Sequence, residues 1–141
     1  MKYTEKITRE LKEQIIENEG YRQFPYRCSA DRLTVGIGRN LDDRGISLAE
    51  AQFLLENDIL DCIKDLEIIF PGFNELTENR QHVLIDMRFQ LGPGRFRGFK
   101  NMIAAIRNQN FRNAAFQIGD SLYRKQVPKR ANKNIKAMIL G

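Results

Sequence analysis

The chain has 141 residues, a formal net charge of +5 and a pI near 9.4. That length suits one domain with its own core, and no apolar run approaches the roughly 20 residues of a membrane span. The basic surplus favours an anionic partner (nucleic acid, a membrane surface or bacterial cell wall), and charge alone does not choose among these. Met1–Ile7 lacks the apolar core of a signal peptide, so synthesis in the cytoplasm is expected. Cys28 and Cys62 show no metal or redox spacing and are expected to be free thiols in a reducing compartment.

A first helix is expected from about Thr8 to Glu19. Thr8 can cap it, Leu11, Ile15 and Ile16 form an apolar stripe, and Gly20 stands where a helix-ending glycine would. Glu19 then lies beside the negative end of the helix dipole. That place, together with partial burial, disfavours its charged form, as a proton donor near neutral pH requires. From the residues alone Glu19 also reads as an exposed helix-end glutamate, like Glu13 or Glu17.

A small hairpin follows. Phe24 to Cys28 forms one strand and Leu33 to Gly38 the other, with Leu33, Val35 and Ile37 alternating against Thr34, Gly36 and Gly38. A turn centred on Asp31 would set Cys28 directly opposite Thr34 on one face, which Gly36 and Gly38 leave open to a ligand. The plainer alternative is a hairpin with a buried cysteine. Arg39 to Ile46 is polar and turn-prone, and Asp42 and Asp43 are expected as solvated charges or as partners of Arg39 and Arg44.

Ser47-Leu48-Ala49-Glu50 is a capping box. It opens a long helix whose apolar side carries Leu48, Ala51, Leu55, Ile59, Cys62, Ile63 and Leu66, and which Pro71-Gly72 stops. Cys62 is most simply a core residue. Thr77 starts another helix that buries Val83, Leu84, Met87 and Leu91 and ends at Gly92-Pro93-Gly94. His82, the one histidine, makes neither a zinc site nor a Ser-His pair by itself and is read as structural. Arg95 to Lys100 interleaves basic and aromatic residues, a pattern able to bind single-stranded nucleic acid. A short helix holds Ile103 and Ile106, Asn110 caps the next, and Pro128 opens the last, with Ile135, Met138 and Ile139 on its apolar side.

Three stretches resemble the phage-type lysozymes, the T-even-like muramidases of glycoside hydrolase family 24. The family's pattern is Glu, eight residues, Asp, five residues, Thr, then Gly-x-Gly. Here it reads Glu19, Cys28, Thr34 and Gly36-Ile37-Gly38, with Cys28 where most members carry Asp. Met87-Arg88-Phe89-Gln90-Leu91-Gly92 resembles the family's Met-x-Phe-Gln-x-Gly. Asp120 to Ala131 resembles a third signature at Ser121, Gln126, Pro128, Arg130 and Ala131, with Leu122-Tyr123 replacing Arg-Trp.

The resemblance implies an α+β, mostly helical, lysozyme-like fold in a single domain, 1–141. A small N-terminal lobe with a β-hairpin, about 10–50, is joined by a long helix, about 47–70, to a helical C-terminal lobe, about 71–141. It also implies hydrolysis of peptidoglycan at the β-1,4 bond between N-acetylmuramic acid and N-acetylglucosamine, with no cofactor and no metal. Glu19 would be the acid. Cys28 and Thr34 would serve the opposite sugar face, Cys28 as base, nucleophile or water-positioner, with Asp31 an alternative source of charge. A free thiol with a pKa near about 8.5 is mostly neutral at pH 7, and a neighbouring carboxylate is expected to push it higher. Phe89, Gln90, Ser121 and Tyr123 would contact the glycan. The expected partner is the glycan strand, met by a monomer, without nucleic acid or a membrane span. The enzyme would act on the wall in the periplasm after release from the host cytoplasm, through a holin or on lysis. The rivals are a catalytically silent peptidoglycan-binding module and a nucleic-acid binder built on Arg95 to Lys100.

Overall fold

The computed structural model describes residues 5–141, apart from the side chains of Lys6 and Ile7, so most of the Met1–Ile7 stretch lies outside the described residues. Helix α1 spans Glu5–Glu19. It begins before its expected start, which places Thr8 inside the helix rather than at its cap. Gly20 ends it as expected, at φ +72°, with its N–H on the Ile16 carbonyl at 2.8 Å. Leu11, Ile15 and Ile16 remain 43–44% exposed.

The strands β1 (Arg22–Arg27), β2 (Leu33–Gly36) and β3 (Arg39–Asn40) form an antiparallel sheet in the order β1-β2-β3. The first turn is tighter than expected. Cys28 N–H bonds the Arg32 carbonyl at 3.0 Å, and Asp31 N–H bonds the Cys28 carbonyl at 2.8 Å, with Asp31 at φ +58°. This is a three-residue loop with its third residue left-handed. It pairs Tyr26 with Thr34 and Arg27 with Leu33. The register therefore differs from a turn centred on Asp31, and Cys28 stands diagonal to Thr34 rather than opposite it. The second strand is also shorter than its alternation implies. Gly36 and Gly38 both take positive φ, so the chain reverses around Ile37 and pairs Val35 with Arg39.

Asn40 caps the one-turn helix α2 (Leu41–Arg44), its side chain accepting the Asp43 N–H. The Ser47 capping box forms reciprocally: Ser47 N–H reaches Glu50 Oε1 at 2.9 Å, and Glu50 N–H reaches Ser47 Oγ at 3.2 Å. It opens α3 (Leu48–Ile69), whose 22 residues span about 33 Å. Cys62, Leu66 and Ile69 are buried, but Leu48 and Leu55 of the same apolar series are exposed. The chain divides into two compact units, up to Gln52 and from Phe53, with the boundary inside α3.

The second unit is helical. After a 3-10 turn at Phe73–Glu75, Thr77 accepts the Arg80 N–H at the start of α4 (Glu78–Arg97). Val83, Leu84, Met87 and Leu91 are buried as expected. The regular helix breaks at Gly92 (φ +81°, ψ 171°), and a further helical turn runs on through Pro93 to Arg97. Glycine supplies the left-handed backbone, and Pro93, which has no N–H, then opens the next turn. Helices α5 (Lys100–Arg107), α6 (Phe111–Gly119), α7 (Leu122–Gln126) and α8 (Pro128–Leu140) complete the unit. Asn110 caps α6 and Pro128 starts α8, both as expected. The α8 helix packs on α4, α6 and α7. Between them lie the fully buried Leu66, Leu84, Met87, Phe96, Met102, Ile118 and Met138, which form one core. The architecture is α+β, mostly helical, with one small sheet.

Candidate active site

Glu19 is the last residue of α1, and the Gly20 stop fixes where its backbone leaves the helix. It is exposed, which corrects the expectation of partial burial. Its carboxyl group lies against the turn between β2 and β3: a methyl placed on Gly38 would stand 3.0 Å from Glu19 Oε2.

Cys28 and Thr34 meet on the sheet through their diagonal relation. Thr34 is 4% exposed, and its hydroxyl donates to the Arg32 carbonyl at 2.8 Å. Backbone hydrogen bonds at Arg32 and Ala30 hold the Cys28 thiol below its ordinary pKa. This reverses the expected upward push. The groups that touch the sulfur are hydrogen-bond partners that favour its charged form. Asp31 sits exposed at the loop tip, its N–H spent on the Cys28 carbonyl. It orders the loop.

A set of charges outside the expected site braces the sheet. Asp42 Oδ2 accepts the Leu33 N–H at 2.7 Å and the Arg27 guanidinium at 3.3 Å. Asp43 lies 3.4 Å from Arg32, and Arg39 grips both carboxylate oxygens of Glu50. Arg27, Arg32 and Glu50 thus replace the partners expected for Asp42, Asp43 and Arg39. The Arg39 pair, reinforced by the Ser47 N–H and hydroxyl, draws the Glu50 carboxyl down from 4.5 to about 2.

In the helical unit, Phe89 and Gln90 lie exposed in the last turn before the Gly92 break, as surface contacts require. Ser121 spends its hydroxyl on the backbone, donating to the Ile118 carbonyl and accepting the Arg124 N–H at the start of α7. Tyr123 is 3% exposed, packed edge-on to Phe99, and its hydroxyl accepts from Asn134 at 3.0 Å. A ring held in this way does not stack on a sugar, so its expected role narrows to a wall. Ser121 and Tyr123 border a cavity of about 380 Å³ with Leu91, Arg95, Asn101 and Gln117. The sequence singled out Arg95 only as part of the basic and aromatic run; Asn101 and Gln117 bring polar groups that the sequence did not single out, since nothing in their local pattern sets them apart from solvated helix faces. A larger cavity of about 690 Å³, lined by Ile68, Arg80 and Phe111 among others, touches none of the expected site residues.

A polar cluster ties α4, α7 and α8. Arg130 clasps the Asp86 carboxylate, and Asn134 donates both to Asp86 at 2.9 Å and to Tyr123. Burial works against the Asp86 charge, but the Arg130 and Asn134 hydrogen bonds outweigh it and leave its carboxyl below the usual range. The run Arg95 to Lys100 offers no stacking platform: Phe96 is fully buried against Phe70, Phe99 packs on Tyr123, and Arg97 joins Arg88 on Asp65. His82 is exposed on α4, 3.6 Å from Glu78. Among the described residues no group of three metal-ligating side chains gathers, and no helix is long and apolar enough to cross a membrane.

Comparison with known proteins identifies the family. The phage lysozyme family model matches residues 16–137. The chain is 25% identical to "Probable T4-type lysozyme 2" of Dictyostelium discoideum, covering 93% of this chain and 94% of that protein. It is 27% identical to the "Pre-baseplate central spike protein Gp5" of Enterobacteria phage T4, covering 77% of this chain but 20% of that one. With "Peptidoglycan hydrolase gp36" of Pseudomonas phage phiKMV the identity is 30%, over 90% of this chain and 15% of the relative. The family match takes in Glu19, the sheet, and the helices from α3 to most of α8, and on that span the chain belongs to the phage lysozyme family.

Proposed function

We propose that this peptidoglycan-degrading lysozyme cuts the β-1,4 bond between N-acetylmuramic acid and N-acetylglucosamine, with Glu19 as proton donor and Cys28 with Thr34 at the opposite sugar face. The observation that carries the reading is the pairing of a thiol of lowered pKa with Thr34 on the sheet whose Gly38 turn receives the Glu19 carboxyl. Glu19 gives its proton to the glycosidic oxygen as the C1–O bond breaks. Cys28, in its thiolate form, takes a proton from a water that bonds to C1, and Thr34 orients that water. The anomeric centre inverts, and the two product ends carry the elements of water. Phe89, Gln90 and Ser121, with Arg95 and Gln117 beside the smaller cavity, hold the glycan strand. The enzyme works as a monomer without cofactor or metal, made in the host cytoplasm and reaching the wall on release.

Digestion of purified walls tests the assignment. Glu19→Gln abolishes release of reducing sugar, whereas Cys28→Asp retains it. Product analysis finds the inverted anomer. Full activity in Glu19→Gln removes the acid, a wild-type rate in Cys28→Ala removes Cys28 from the chemistry, and a retained anomer makes Cys28 a nucleophile. Absence of reducing-sugar release by the unaltered protein, with wall binding intact, identifies a silent binding module.

A further inference from the structure

Gly36 and Gly38 flank Ile37 at the end of β2 and in the turn to β3, and both take a positive φ, +67° and +64°. Turn geometry accounts for a glycine at both. Their surroundings differ. A methyl on Gly36 meets nothing within 4 Å, whereas one on Gly38 would stand 3.0 Å from Glu19 Oε2, 3.2 Å from Cδ and 3.3 Å from Cγ. The Glu19 side chain thus lies along the Gly38 backbone from Cγ outward. Among the described residues Glu19 has no hydrogen-bond or ion-pair partner, and it is exposed. The close approach at Gly38 is thus a packing contact that bears on its rotamer.

We propose that Gly38 is a positioning residue for the proton donor: its missing side chain is the slot in which the Glu19 carboxyl rests against the sheet. This rests on the reading of Glu19 as the acid. A Cβ at this position displaces the carboxyl, and displacement of a catalytic group by about 1 Å can lower a rate by on the order of 10²-fold.

The neighbouring glycine separates strain from contact. Gly36→Ala and Gly38→Ala each place a side chain at a positive φ, so both lower the melting temperature. Only in Gly38→Ala does the added methyl meet Glu19. Adding Glu19→Ala therefore recovers several degrees of melting temperature in the Gly38→Ala background and none in the Gly36→Ala background. In ¹³C-glutamate-labelled protein, the Glu19 carboxyl resonance, assigned by its loss in Glu19→Gln, moves in Gly38→Ala and stays in place in Gly36→Ala. On purified walls Gly38→Ala loses kcat by roughly ten- to a hundredfold with KM nearly unchanged, a larger loss than in Gly36→Ala. Should Gly38→Ala fail to fold, recovery of the fold by Glu19→Ala supports the proposal and its absence overturns it. Equal behaviour of the two glycine variants, in melting cycle and resonance alike, also overturns it. An active Glu19→Gln removes the donor assignment while the melting cycle still reads the contact itself.

Discussion

At the scale of single residues, the two thiols are opposites. Cys28 is partly exposed and held below its ordinary pKa by backbone hydrogen bonds at Arg32 and Ala30, while burial pushes the Cys62 thiol up. Because the thiolate is the reactive form, iodoacetamide modifies Cys28 first and Cys62 only on unfolding. Peptide mapping by mass spectrometry checks the order, and loss of lysis tracks the Cys28 adduct. Equal labelling of the two in the folded chain contradicts the environment described. Glu50 gives a second residue-level test. Arg39, then the Ser47 backbone and hydroxyl, lower its carboxyl to about 2 in the folded chain. Above about 4.5 the group is ionised in both states and its stabilisation is complete. As pH falls from there towards 2, the unfolded chain takes up the proton and that stabilisation is lost. Melting temperature followed from pH 6 to pH 2 therefore drops less steeply in Glu50→Gln than in the parent, and parallel acid limbs count against the pair.

At the scale of elements, caps and stops were legible because they depend on neighbours in the chain. Gly20 ends α1, Ser47 and Glu50 open α3, Thr77 and Asn110 cap α4 and α6, and Pro128 starts α8. The hairpin register was not legible. Its loop is set by Asp31 adopting a left-handed conformation, which moves the pairing by one residue on each strand and leaves Cys28 diagonal to Thr34. The clasp joining α4, α7 and α8 escaped notice for a similar reason: Asp86, Tyr123, Arg130 and Asn134 are separated by up to 48 positions. It makes a definite prediction. In Tyr123→Phe the Asn134 amide, 7% exposed, loses one acceptor and keeps the other. The cost is about 1–2 kcal/mol in urea unfolding. A loss below a few tenths of a kcal/mol places the hydroxyl outside the network.

At the scale of the whole molecule, the surplus of 23 lysines and arginines over 18 acidic residues is expected to draw the chain to anionic wall polymers. Several arginines are engaged internally, which leaves the surplus of +5 to the other basic side chains. Arg39, Arg88, Arg97 and Arg130 are paired with carboxylates, and Arg80 and Arg107 donate to the backbone carbonyls of Met138, Ile139 and Ile69. The exposed lysines that remain are screened by salt over a Debye length of about 10 Å at 0.1 M. Lysis of whole cells at fixed pH therefore falls as sodium chloride rises from 20 to about 300 mM, and a flat profile removes electrostatic attraction from the enzyme's encounter with the wall.

The order of residues by itself determined most helix caps and stops, which face of α4 is buried, and the spacing by which Glu19, Cys28 and Thr34 resemble the family pattern; on α8 it found Met138 but not that Ile139 is exposed and Ala131 and Asn134 are buried. These features are written in periods of a few residues, within reach of local hydrogen bonding and side-chain spacing. Tertiary structure decided the rest: that Cys28 meets Thr34 on the diagonal, that backbone hydrogen bonds hold its thiol below the ordinary pKa, that Gly38 receives the Glu19 carboxyl, and that Tyr123 belongs to the core. Each of these depends on which backbone groups and side chains arrive from elsewhere in the chain, and proximity of that kind exists only after folding.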